Sequence, residues 1–217
     1  MNENMPKHMA RGHQRRQQVL ELAVGVATAE GLEALTIGRV ADISGFTKAG
    51  LLGHFNSKEE LQLATLKAGR ASFLQAVVEP AHADAPGMRR MVRLLDRWVE
   101  HVVQVRGGCF FASVSAEFDA REGRVRESIA AMMKEWIGGM EFFLKEARDA
   151  GHLEEGTDVR AMAFRLHGYE LSLNLRRQLF GDEGVLQEAR AAMHAELRNA
   201  GTRAGRRLLE QELEARP

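Results

Sequence analysis

The chain has 217 residues, enough for one large domain or two smaller ones, and its formal net charge at pH 7 is zero. Its 45% hydrophobic and 28% charged residues are typical of a soluble globular protein, and the neutral total indicates no general attraction to nucleic acid. A single cysteine, Cys109, excludes an intramolecular disulfide framework and fits a reducing cytosol. No apolar run reaches the ~18 residues of a membrane span and no secretory signal opens the chain, so we expect a cytoplasmic protein without a membrane partner.

Charge is unevenly distributed, and the first twenty positions are basic. Lys7, Arg11, Arg15 and Arg16 stand there against a single acidic residue, Glu3. This segment is either a solvated, frayed terminus or a basic arm that lies along DNA phosphates.

Apolar residues recur at helical spacing along most of the chain, and no segment predicts a strand of useful length. The spacing predicts helices over residues 12–30, 37–44, 48–54, 58–80, 88–105, 109–119, 123–150, 159–180 and from 185 onward. We therefore expect an all-α fold of about nine helices. Beyond Arg198 the chain is either a further helix or a disordered tail.

Two very short helices are predicted close together between residues 36 and 54. Thr36 and Thr47 are suited to cap them, Gly45 permits a tight reversal between them, and Ser57 begins a capping box for the long helix that follows. The apolar residues expected to lock the pair together are Val40, Ala41, Leu51 and Phe55. Such a pair is a helix-turn-helix unit, whose second helix can enter the major groove of DNA.

The segment LTIGRVADISGFTKAGLLGHFNSKEEL resembles the N-terminal DNA-binding segment of the TetR family of transcriptional regulators. The shared pattern is a Thr opening helix two, Val-Ala near its middle, Gly at the turn, Lys before the recognition helix, and then Phe-x-Ser-Lys-Glu. The match extends over residues 12–67, and GGCFFASVSAEFDAREGRVRESI is similar to a C-terminal type of some members. The resemblance implies a three-helix DNA-binding domain with a basic arm (residues 1–57) and a larger helical bundle for ligand binding and dimerisation (residues 58–217).

The resemblance also implies which residues contact DNA. They are Thr36, Arg39, Thr47, Lys48, Ala49, Leu52, Gly53, His54 and Lys58. Read without the family, Lys48 and Lys58 are solvated lysines, the two threonines are helix caps, and His54 has a structural role. Gly53 departs from the family pattern, since many members carry an aromatic or polar residue there. Either the recognition helix ends early, or close approach to DNA is required.

Methionine and aromatic residues at helical spacing fill the C-terminal two-thirds, where they form either a plain core or the wall of a cavity. In the TetR family an inducer binds in this region, and the resemblance therefore implies a ligand site. Its expected residues are Trp98, His101, Phe111, Glu117, Met133, Trp136 and Met140. His101 and Glu117 would orient the ligand; the alternative is that they are surface groups or satisfied structural partners.

Nothing in the sequence predicts catalytic residues, a metal or a cofactor. Glu117 and Asp119 are two positions apart on a helix and face different ways, and the eight histidines form no cluster with metal-ligand spacing. Cys109 is either a small buried hydrophobe or an oxidant sensor.

Apolar stripes on the last two predicted helices either cover the core of one chain or pair with a second copy in a four-helix bundle. A homodimer fits the family and lets two recognition helices read a palindromic site. The sequence thus predicts a repressor released from a palindromic DNA operator by a small apolar inducer. The alternatives are a DNA-binding protein without an inducer, controlled by a protein partner or acting as a constitutive architectural factor, and a helical-bundle enzyme with a degenerate helix-turn-helix.

Overall fold

The computed structural model describes residues 7–215, with side chains from residue 12 onward except that of residue 13. Over this range the chain is helical, and the one β-like contact is an isolated bridge between Leu153 and Gly201. The all-α prediction is confirmed. None of the described helices is long and apolar enough to span a membrane.

Three helices form the N-terminal unit: α1 (Lys7–Glu30), α2 (Ile37–Ser44) and α3 (Lys48–Leu52). Helix α1 begins earlier than the apolar spacing predicts, so the basic segment from residue 7 onward is helical. Residues 1–6 of the predicted arm lie outside the described residues. The arm's contact with phosphates stays a prediction.

The remaining helices form the C-terminal bundle. They are α4 (Lys58–Phe73), α5 (Glu79–Ala81), α6 (Met88–Gln104), α7 (Phe110–Phe118), α8 (Arg124–Asp149), α9 (Val159–Phe180), α10 (Val185–Ala200) and α11 (Arg203–Glu214). A π-helical segment, Leu74–Val78, joins α4 to α5. Thr202 caps α11, which resolves the open alternative for the tail: a helix follows Arg198, and it packs on α6.

A single apolar core runs through both parts of the molecule. Helices α4 and α7 are shared elements, because both pack on α1 of the N-terminal unit and on α8 of the bundle. The stripes on α9 and α10 cover this core within the chain: Met162, Leu166, Leu173, Met193 and Leu197 are all buried. These residues thus serve the core of one chain, and pairing of the two helices with a second copy stays a prediction.

A different face of α9 carries large apolar side chains in the open. They are Phe164, Leu171, Leu175, Leu179 and Phe180. The first four follow helical spacing and form one stripe on the outside of the chain.

Candidate functional site

The helix-turn-helix unit is held by local capping bonds. Thr36 Oγ1 accepts a hydrogen bond from the Arg39 backbone N–H at 3.0 Å, and Thr47 Oγ1 accepts one from the Gly50 N–H at 3.1 Å. Gly45 adopts φ 72°, a left-handed conformation that allows the reversal between α2 and α3. Val40 and Leu51 are fully buried and lock the two helices together, as their spacing predicts.

The opposite face of this unit is open to solvent. Of the residues predicted to contact DNA, Thr36, Arg39, Thr47, Lys48, Ala49, Leu52 and Gly53 are exposed, whereas His54 and Lys58 are half-buried. Arg39 Nη2 pairs with Glu30 Oε1 at 2.6 Å, and Lys58 pairs with Glu33. No carboxylate pairs with Lys48 among the described residues, so this cation is free to meet a phosphate.

Gly53 ends the recognition helix early. Helix α3 stops at Leu52, whereas the sequence predicts a helix to residue 54. The Gly53 N–H donates to the carbonyl of Ala49, and its φ of −66° is open to any residue. The first of the two interpretations of this glycine therefore holds for the helix, and its approach to DNA stays a prediction.

A cavity of about 280 Å³ lies between α4, α6, α7, α8 and α9. Four of the predicted ligand residues, Trp98, Phe111, Met133 and Trp136, are on its wall. The other wall residues are Arg70, Phe73, Leu74, Val78, His82, Leu94, Cys109, Ala112, Met132, Glu135, Gly139, Phe142, Phe143, His167, Glu170 and Leu171. This wall is mostly apolar and aromatic, as expected of a site for a small organic molecule.

Phe73 organises the aromatic part of the wall. Its ring meets those of Trp136 and Phe111 edge to face, at centroid distances of 4.9 and 5.9 Å. The π-helical segment follows directly, and its first and last residues, Leu74 and Val78, also line the cavity. Such π-bulges inside helices are frequent at functional sites.

Three of the predicted ligand residues do not line the cavity. Met140 is fully buried in the core. His101 packs its ring edge to face on Phe73 at 5.7 Å, and burial lowers its pKa. Glu117 points to the N-terminal unit. We therefore leave all three out of the proposed ligand site.

Glu117 instead holds the loop between α1 and α2. One carboxylate oxygen accepts the backbone N–H of Leu32 at 2.7 Å, and the other accepts that of Glu33 at 2.8 Å. Gly31 turns the chain here with φ 93°, and a Cβ on it would lie 3.1 Å from the Glu117 carboxylate. Glu33 also pairs with Lys58 at the start of α4 and with Arg121 just after α7, so both helices hold this loop.

Glu170 is a polar wall residue that sequence reasoning missed. Only 1% of it is exposed, and burial raises its pKa. The Trp136 indole N–H donates to Oε2 at 3.0 Å, and His167 Nδ1 lies 3.1 Å from the same oxygen. A sequence signal existed: position 170 lies on the same face of α9 as the buried Leu166 and Leu173, where an acidic residue is out of place.

Cys109 lies on the cavity wall and is buried. Its backbone N–H donates to Asn174 Oδ1 at 2.8 Å, and burial raises the pKa of its thiol to about 11. A thiol with so little thiolate at neutral pH is a poor oxidant sensor, which favours the alternative of a small buried hydrophobe.

Comparisons with known proteins agree with this architecture. Residues 19–65 match the family described as "Bacterial regulatory proteins, tetR family", and residues 87–193 match "Tetracyclin repressor-like, C-terminal domain". The fatty acid metabolism regulator protein of Bacillus subtilis (strain 168) is 21% identical over 162 residues, which are 74% of this chain and 77% of that protein.

Two solved structures share the fold at low identity. A TetR transcriptional regulator from Chloroflexus aurantiacus J-10-FL has a TM-score of 0.81 at 18% identity, over 88% of this chain and 98% of that one. A transcriptional regulator from Saccharomonospora viridis in complex with choline has a TM-score of 0.75 at 20% identity, over 88% and 100% of the two chains. With its helix-turn-helix segment and its C-terminal bundle each matched in sequence, the chain belongs to the TetR family of transcriptional regulators.

Proposed function

We propose that this DNA-binding regulator is a homodimeric repressor that leaves a palindromic operator when a small, largely apolar molecule enters the cavity. The observation that carries the proposal is that one helix, α7, connects the cavity to the DNA-binding unit. Phe111 and Ala112 near its start line the cavity, and Glu117 near its end holds the α1–α2 loop.

Helix α4 makes a second connection between the same two places. Lys58, at its first position, pairs with Glu33 of the α1–α2 loop. Phe73, at its last position, is on the cavity wall and contacts two other aromatic wall residues. Because the Phe73 and Phe111 rings are in contact, a ligand that displaces this pair acts on both α4 and α7, the helices that hold the N-terminal unit.

The ligand must bind the DNA-incompetent arrangement more tightly, because equal affinity for both arrangements would shift nothing. Coupling of this kind typically amounts to about 1–3 kcal/mol. The two recognition helices of a dimer must lie about one DNA turn apart, so a small rotation of each N-terminal unit lowers operator affinity.

The DNA surface in this proposal consists of the exposed outer residues of α2 and α3, with Lys48 as the principal free cation. Arg39 and Lys58 would first have to leave Glu30 and Glu33. The dimer forms through the exposed stripe on α9, because large apolar side chains such as Phe164 and Leu179 otherwise remain in water.

Two relatives support a small-molecule effector. The regulator from Saccharomonospora viridis holds choline, and the name of the Bacillus subtilis relative links it to fatty acid metabolism. A regulator controlled only by a protein partner would be favoured by a solid C-terminal bundle, whereas this bundle encloses about 280 Å³.

The test is selection of bound sequences from random double-stranded DNA, followed by screening a metabolite library for loss of binding. We expect a palindromic consensus that is released by at least one compound. Binding to DNA without sequence preference would contradict the proposal that the protein recognises a palindromic operator. A protein that keeps its operator in the presence of every cavity-binding compound contradicts the response to a ligand.

A further inference from the structure

We propose that the cavity takes a ligand whose apolar body carries a protonated amine, and that this amine binds Oε1 of Glu170. The inference rests on the proposed function, since it names the class of molecule that the repressor senses. It comes from a buried carboxylate whose two oxygens have unequal surroundings.

Both protein contacts of the Glu170 carboxylate go to the same oxygen. Trp136 Nε1 lies 3.0 Å and His167 Nδ1 3.1 Å from Oε2. Oε1 is buried and receives no hydrogen bond from the described residues, so the Glu170 carboxylate, which lines the cavity, must turn for a ligand there to reach this oxygen. Leaving a buried carboxylate oxygen without a donor is unfavourable, and a ligand that supplies a charged N–H group removes this penalty.

The rest of the wall favours a cation over an anion. Phe73, Trp98, Phe111 and Trp136 line the wall with aromatic rings, and an aromatic ring attracts an organic cation that lies over its face. Arg70, the one arginine on the described wall, is already bound to Glu135 through two hydrogen bonds. An anionic head group would meet the Glu170 carboxylate without a free arginine or lysine to receive it.

His167 does not remove the need for a donor at Oε1. A protonated His167 balances the charge of Glu170, but it does so through Oε2. A protonated Glu170 would instead offer an O–H group to a ligand acceptor, and this is the rival that the experiment must exclude. Glutamine at position 170 separates the two cases. Its amide has the shape of a protonated carboxyl group and can still hydrogen-bond a neutral ligand, but it cannot carry the negative charge that an ammonium group needs.

The volume limits the size of the amine. About 280 Å³ is nearly twice the ~150 Å³ cavity that encloses a benzene ring. An aromatic ring with a short aminoalkyl chain fits this space, with the ring against the aromatic wall and the ammonium group at Glu170.

The experiment titrates the full-length protein with phenethylammonium, phenethyl alcohol and phenylacetate, which have similar skeletons and differ in the terminal group. Both tryptophans of the chain line the cavity, so their fluorescence reports binding directly. We expect the amine to bind at least about tenfold more tightly than the alcohol, and the acid to bind most weakly. Equal affinities, a preference for the acid, or an amine that does not bind at millimolar concentration would overturn the proposal.

Two variants locate the effect. Glu170→Gln should weaken phenethylammonium by about 30-fold or more and leave the alcohol within about twofold. Glu146→Gln is the matched control, because Glu146 is a part-buried carboxylate paired with Arg90 outside the cavity wall, and it should leave both affinities unchanged. An amine affinity that survives Glu170→Gln overturns the proposal. If that variant does not fold, the ranking of the three probes on the unaltered protein decides.

Failure of this inference and failure of the proposed function give different results. If the alcohol binds as tightly as the amine and releases the operator, the repressor is ligand-responsive and the ligand class is wrong. If the amine binds through Glu170 but the operator complex persists, the proposed ligand class is supported and the proposed release from the operator is wrong.

Discussion

The helix-turn-helix unit and the cavity-bearing bundle differ in the sequence separation of the contacts that define them. In the first, the caps at Thr36 and Thr47 bond backbone groups three residues away. In the second, Trp136 reaches Glu170 across 34 positions, and the contact from the bundle to the N-terminal unit, Glu117 with the backbone of Leu32, spans 85. Local contacts leave a recognisable spacing in the sequence, whereas long-range contacts appear only when the helices are packed together.

The largest loss of stability is expected from a substitution where the N-terminal unit and the bundle are in contact. Gly107, in the loop before α7, has φ 90°, and a Cβ on it would lie 2.5 Å from the backbone carbonyl oxygen of Thr28 in α1. Gly107→Ala should therefore lower the free energy of unfolding by roughly 3 kcal/mol, since left-handed strain and a backbone clash combine. Chemical denaturation measures this loss.

Gly181→Ala is its control. Gly181 has φ 66° and ψ 25°, a left-handed conformation, but faces open space, so only the strain of about 1 kcal/mol should appear. Equal losses in the two variants would show that the contact between the loop and α1 is not tight.

The next largest effect is expected at Glu117, which links the bundle to the α1–α2 loop of the N-terminal unit. Glu117→Gln keeps the size of the side chain but replaces one acceptor oxygen by a donor, which leaves one backbone N–H of the α1–α2 loop without its partner. We expect a loss of about 1–3 kcal/mol in the free energy of unfolding. The change in operator affinity caused by a releasing compound should shrink as well. Binding isotherms with and without that compound measure the coupling.

Glu122→Gln provides the comparison, because this carboxylate is exposed just beyond α7. It should change neither quantity. A Glu117→Gln protein with undiminished coupling would exclude α7 as the connection and leave α4.

The sequence predicted the all-α fold, the caps and the outer face of the N-terminal unit because each depends on neighbours within one or two helical turns. Trp98, Phe111, Met133 and Trp136, which it selected as large side chains at helical spacing, line the cavity, and their contact with a ligand stays a prediction. The sequence did not show that Glu117 and Met140 lie outside the cavity wall, because their surroundings come from other helices. Helical spacing shows that Met140 points inward, but it does not show whether an inward side chain meets a cavity or packed neighbours.

A smaller effect is confined to the DNA face. Lys48→Ala removes an exposed cation that has no carboxylate partner among residues 12–215. If Lys48 contacts a phosphate, the dependence of log affinity on log salt concentration should fall by about one unit per half-site, with the dimer intact.

Lys67→Ala serves as the reference, since Lys67 is exposed on α4 away from the recognition helix. A changed oligomeric state in the Lys48 variant would show that this residue does not lie on the DNA face.

The smallest effect on the free energy of unfolding is expected at Gly53, where the stability of the recognition helix and its contact with DNA can be measured separately. Its φ of −66° and ψ of −20° suit alanine, and a Cβ would lie 3.3 Å from the Gly50 carbonyl oxygen, a contact that a small shift relieves. Gly53→Ala should therefore change the free energy of unfolding by less than about 1 kcal/mol, in the stabilising direction, because alanine restricts the unfolded chain. Gly45→Ala, at φ 72° in the same motif, should destabilise by about 1 kcal/mol and serves as the opposite control. Operator affinity measured on the stable Gly53 variant then isolates the DNA contact: a clear loss means that the glycine is needed for close approach to the duplex, and an unchanged affinity means that it only ends the helix.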